Sequence, residues 1–112
     1  MKTLAFVLIG TIIGFGSAHA QQIIAGDDLK QLVTGKTVDF GAPGSATYKS
    51  DGKYEFYNKS NGATFRGKWS VQGDRLCVDF DSGIQRCDQY LRNGTNIVIK
   101  NYSGTTFPVT VK

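Results

Sequence analysis

The sequence predicts an all-β domain: an antiparallel meander of about eight short strands, rolled into a small barrel or half-barrel and led by one short helix. Three observations carry this expectation. Turn signals built on glycine recur at about ten-residue spacing along the chain. The runs between them are short and rich in β-branched and aromatic residues. Two cysteines, Cys77 and Cys87, flank one of the turns.

Taken in order, residues 1–20 read as a secretory signal peptide. Lys2 is a short positive n-region, Leu4 to Ile13 an apolar stretch, and Ala18-His19-Ala20 a small-x-small cleavage site. The apolar stretch is short for a bilayer span and no stop-transfer segment follows, so no transmembrane segment is expected in the mature chain. Residues 21–112 then form a single β-domain, with Gln21 to Gly26 as a loose lead. Asp27 to Gly35 reads as a short helix: an aspartate caps its first turn, Leu29, Leu32 and Val33 form its apolar stripe, and Gly35 stops it. About two turns of helix are not stable alone, so it must dock on the sheet.

Eight strands are expected at Lys36–Phe40, Ala46–Lys49, Lys53–Asn58, Ala63–Val71, Arg75–Phe80, Ile84–Leu91, Asn96–Tyr102 and Thr105–Val111. Turns such as Ser50-Asp51-Gly52, Ser60-Asn61-Gly62 and Asn93-Gly94 separate them. Alternation assigns their faces. Phe65, Gly67, Trp69 and Val71 point one way and Thr64, Arg66, Lys68 and Ser70 the other. Gly67 between two large aromatics indicates a bend or a close backbone approach. Tyr54 with Phe56, and Leu76 with Val78 and Phe80, form further inward sets. These aromatics are expected to fill the interior.

The turn Asp81-Ser82-Gly83 fixes a register. As a three-residue loop with Gly83 in the left-handed position, it sets Phe80 against Ile84 and so Cys77 against Cys87. Directly opposed residues on antiparallel strands lie within disulfide reach, and a cysteine pair in a small exported domain favours a disulfide over a metal or redox site. The same register puts Arg86 and Asp88 on the inward face of Leu76, Val78 and Phe80, either where burial is partial or as an ion pair near the rim.

Several chemistries are disfavoured. The one histidine, His19, lies in the signal segment, which leaves residues 21–112 without histidine-based nucleophilic or metal sites. Glu55 is the only glutamate. Asp79 and Asp81 lack the third acidic ligand of a calcium loop. No enzyme, metal or cofactor is therefore expected. The formal charge of +4 is scattered along the chain rather than gathered in a stripe, which argues against nucleic-acid binding.

Gly67-Lys68-Trp69-Ser70-Val71, followed by Gly73-Asp74-Arg75-Leu76-Cys77 and Arg86-Cys87, resembles small exported proteobacterial β-domains of unknown function. So does the opening of a Leu-rich helix and Gly35-Lys36-Thr37. The resemblance implies a lipocalin-like sheet with a disulfide hairpin and a periplasmic or secreted location; it implies no activity. The function expected first is a monomeric, non-catalytic binding module of the bacterial envelope that recognises a protein partner, such as a hydrolase it inhibits. Its candidate binding residues are Arg66, Lys68, Arg86 and Asp88. The alternative is a carrier of a small apolar ligand within the barrel, favoured if Tyr54, Phe56, Phe65 and Trp69 line an empty cavity.

Overall fold

The computed structural model describes residues 21–112; the signal peptide read at residues 1–20 lies outside the described residues. The elements in chain order are β1 (Gln22–Ile24), α1 (Gly26–Val33), β2 (Lys36–Asp39), β3 (Gly44–Tyr48), β4 (Lys53–Asn58), β5 (Thr64–Gln72), β6 (Arg75–Phe80), β7 (Gln85–Asn93), β8 (Asn96–Lys100) and β9 (Thr106–Val111). From β2 to β9 each strand pairs antiparallel with the next. β9 then returns to β2 and closes an eight-strand barrel. Closure leaves the barrel strands without the long open edge that a flat meander would expose.

The long strands make closure possible. β7 pairs with β6 through Gln85 to Asp88 and with β8 through Gln89 to Asn93, so it changes partner halfway along. The room this leaves beside Tyr90 to Arg92 is taken by β1. The segment expected as a loose lead is thus a strand: Ile24 is buried, and the Gly26 N–H extends the line by donating to the Gly73 carbonyl at 2.9 Å. Gly67 is the close approach its setting suggested. A Cβ there would collide with the Asp79 carbonyl oxygen and the Phe80 Cα, so glycine lets β5 and β6 draw together.

α1 covers one end of the barrel. Leu29 and Val33, one helical turn apart, are completely buried, and the helix packs on β2 and β5. Its N-cap is Ala25, with no side-chain hydrogen bond, rather than the expected aspartate; Asp27 and Asp28 instead occupy the first turn, where carboxylates suit the helix dipole. At the other end the Thr34 N–H and hydroxyl both donate to the Lys30 carbonyl. Gly35 adopts φ +72 and donates its N–H to the Tyr48 carbonyl at 2.6 Å, which turns the chain from helix into β2.

The seam between β2 and β9 is the shortest joint in the barrel. Its register pairs are Asp39 with Thr110 and Val38 with Val111, extended by reciprocal hydrogen bonds between Thr37 and Lys112. Pro108 lies beyond the seam, where β9 has β8 on one side only, so its missing N–H interrupts nothing. Asp39 fastens this joint. Its carboxylate accepts from the Gly41 N–H at 2.8 Å and from Lys59 and Lys112, each at 3.2 Å. Those bonds, the Gly41 amide first, lower its pKa from 3.8 to about 2. A depressed carboxylate pKa contributes stability that is present above its ordinary value and is lost as pH falls through about 2. Asp39→Asn should therefore be less stable than the native chain near neutrality, and the two should converge as the pH approaches 2. Urea unfolding across that range checks this; a constant difference between them would show that the Asp39 charge does not hold the seam.

Candidate functional site

The barrel has one covered end and one open one. At the covered end the interior is closed by Leu29, Val33 and an aromatic floor. The Tyr48 and Tyr90 hydroxyls share a hydrogen bond of 3.0 Å, and Tyr48 meets Trp69 edge-on at 5.7 Å. The Trp69 indole N–H donates to the Lys49 carbonyl at 2.8 Å, so its polar edge is satisfied at the rim while its body packs on the core.

Toward the open end, above this floor, lies a cup of about 390 Å³. One wall is Tyr54 and Phe80, in edge-to-face contact at 5.6 Å; the other is Phe56 and Phe40, with ring centroids 5.8 Å apart. Leu76 and Val78 line the side formed by β6, and Phe65, Ser82 and Ile84 stand at the lip. The filled interior expected from the aromatics therefore stops short of the open end. The rings pair along the walls and leave the middle free. Phe65 points inward as its alternation required, but it lies so near the lip that it is 49% exposed, and Ile84 is 65% exposed. Trp69 belongs to the floor region and does not line the cup.

Among the described residues, the only charged side chains lining the cup are Arg86 and Asp88. They stand opposite Val78 and Leu76, in the register read from the hairpin. Arg86 Nε donates to Asp88 Oδ2 at 2.9 Å. Asp88 is largely buried and Arg86 is half exposed. Asp88 Oδ1 is buried and has no hydrogen-bond partner among the described residues. Burial pushes the Asp88 pKa upward, and the Arg86 guanidinium opposes that shift. Burial also raises the phenols of Tyr48, Tyr54 and Tyr90, that of Tyr54 to about 12. These tyrosines stay neutral at physiological pH. A smaller recess of about 230 Å³ lies beside the cup, lined by Phe40, Pro43, Phe56, Arg86 and Phe107. It lies where β9 runs on past the seam with β2, so Arg86 and the Phe40–Phe56 pair border both spaces.

Cys77 and Cys87 are directly opposed and form a disulfide. They lie on the opposite strand face from their neighbours Leu76, Val78, Arg86 and Asp88, which line the cup, and Cys77 is nonetheless buried; the staple thus backs the cup wall. Arg66 and Lys68 lie on the outer face of β5, across the sheet from Arg86 and Asp88. The four candidate residues therefore do not form one site. Arg66 faces Glu55 at 3.5 Å, and Glu55 also accepts from Lys49 at 3.0 Å; these cations, Lys49 first, lower the Glu55 pKa. Phe40, Tyr48, Ser82 and Ile84 are cup residues that sequence reading did not single out. Tyr48 meets Tyr90 across 42 residues of chain, a contact no local pattern encodes. The turn register sets Ile84 opposite Phe80, the one available signal for its position at the lip.

A closed antiparallel barrel with one covered end, one open end and an apolar cup is the class of structure these residues build. In comparisons with known proteins, no family model, no curated protein and no solved structure matches the chain. Among the described residues no group of three or more His, Cys, Asp or Glu side chains is placed to hold a metal ion, and no helix is long and apolar enough to cross a membrane.

Proposed function

We propose that this chain is an exported, non-catalytic binding module that holds a small apolar ligand in the open end of its barrel. The observation that carries the reading is the cup: concave, walled by aromatic and aliphatic side chains, and within the usual size of small-molecule sites, about 300–1,000 Å³. Its lining offers no paired nucleophile and base, since the Asp88 carboxylate is engaged by Arg86 and the tyrosines are held neutral. This lining supports binding rather than turnover. The Cys77–Cys87 disulfide supports an oxidising location, periplasmic or secreted, and the single-ended barrel supports a place among the lipocalin-like exported domains. This puts the carrier ahead of the protein-partner reading. The latter draws on the apolar lip of Phe65 and Ile84, into which a partner could dock, and on the outer cations Arg66 and Lys68.

Calorimetric titration of the oxidised protein with butylbenzene tests the carrier reading. Saturable one-to-one binding is expected, and Val78→Phe, which adds bulk to the cup wall, should weaken it by at least about tenfold. Absence of saturable binding, or equal affinity in the folded variant, would move the site out of the cup.

A further inference from the structure

We infer that the cup selects an apolar ligand carrying one uncharged hydrogen-bond acceptor, such as an ester, ketone or amide carbonyl, and that Arg86 receives it; this rests on the carrier reading above. A guanidinium has five N–H donors in a fixed fork. Among the described residues Arg86 uses one of them, the Nε–H to Asp88 Oδ2. Its Nη groups make no hydrogen bond there, and Arg86 borders both the cup and the side recess. A ligand whose body lies against Phe40, Phe56 and Phe80 has these donors as its polar anchor.

Charge decides which acceptor is taken. Among the described residues, Arg86 and Asp88 are the only charged groups lining the cup, and at 2.9 Å they neutralise each other. A carboxylate ligand would give up its hydration, gain the Arg86 Nη donors, and meet the Asp88 charge on the same guanidinium. An ammonium ligand would face Arg86 itself. A carbonyl gives up far less hydration and accepts the same charge-assisted bond. Asp88 is therefore a positioning residue. It holds Nε so that the Nη edge is presented, and it cancels the charge that would otherwise draw anions.

The test uses one apolar body with four heads: butylbenzene, methyl phenylbutyrate, phenylbutyrate and phenylbutylamine, each titrated calorimetrically into the oxidised protein. The methyl ester is expected to bind at least about tenfold more tightly than each of the other three, the worth of one hydrogen bond from a charged donor. Arg86→Met combined with Asp88→Leu, which replaces the pair by apolar groups, should abolish the ester's advantage over butylbenzene. Asp88→Asn leaves the Arg86 charge unmatched and should shift preference from the ester to phenylbutyrate. Equal binding of ester and hydrocarbon would overturn the acceptor inference while leaving the carrier reading standing, as would tighter binding of either ion by the native protein. Failure of butylbenzene and ester alike would remove the carrier reading and this inference with it. An ester advantage that survives in the double variant would exclude Arg86 as the anchor.

Discussion

Leu29→Ala is expected to lower the unfolding free energy by about 3–5 kcal/mol, in the upper part of the range for a buried leucine cut to alanine. The expectation follows from where Leu29 sits. It has no solvent exposure, and it projects from α1 into the barrel among Val33, Val38 and the rest of the core. Alanine is as good a helix former as leucine, so the loss comes from packing rather than from helix propensity. The surroundings are poorly able to collapse into the gap, because the facing side chains are fixed on strands of a closed ring. A domain of this size is expected to be stable by about 5–10 kcal/mol, so this one change takes away a large part of the total. Urea unfolding should show a lower midpoint with an unchanged slope. The exposed Gln31→Ala on the same helix should have almost no effect. A loss below about 1 kcal/mol for Leu29→Ala would mean that the helix does not plug the barrel in solution.

What the sequence made legible, and what it did not, divides along the line between local and non-local physics. The strands β4 and β6 begin and end where turn residues and alternation place them, because both signals lie within the strand and its flanks. The Cys77–Cys87 register was equally local: a three-residue turn and a symmetric pair of cysteines sufficed. The sequence of β1 reads as a loose lead because three residues carry no periodicity, and its partner, Tyr90 to Arg92, is remote in the chain. β3 starts at Gly44 rather than at Ala46. That glycine, at φ +146, is already paired with Asn58, and a Cβ on it would strike the Tyr57 carbonyl oxygen. Closure of the barrel rests on the Asp39–Thr110 and Val38–Val111 pairs, which no strand pattern distinguishes from an open half-barrel.

The cup shows the same limit from another side. Alternation put Tyr54, Phe56, Phe65 and Phe80 on the inward face, and they are there. Periodicity gives the face of a residue and not its depth along the barrel axis. Phe65 therefore read as core although it stands at the lip, and rings that together suggested a filled interior pair off along the walls instead. Arg86 and Asp88 were the signal that the interior was not wholly apolar. Two opposite charges on a face otherwise made of Leu76, Val78 and Phe80 are costly in a closed core and natural at the wall of an open one.

Replacing both cysteines, Cys77→Ala with Cys87→Ala, is expected to lower stability by about 3 kcal/mol. Cys77 and Cys87 are ten residues apart and already opposed by the β6–β7 hydrogen bonds, so the folded state gains little new geometry from the bond. Its effect falls on the unfolded chain, where it closes a short loop and removes conformations that the reduced chain regains. The double variant should therefore unfold at a lower urea concentration and with a somewhat larger slope, as its unfolded state is less compact. Circular dichroism of the folded variant should be unchanged, since the register is set by the Asp81-Ser82-Gly83 turn and the strand ladder. Because the disulfide lies directly behind Leu76, Val78, Arg86 and Asp88, its loss should also loosen the cup wall and weaken butylbenzene binding in the still-folded protein. Stability equal to that of the native chain would mean that the hairpin loop persists in the unfolded state without the bond. Undiminished binding at reduced stability would mean that the ladder alone keeps the wall of the cup in place.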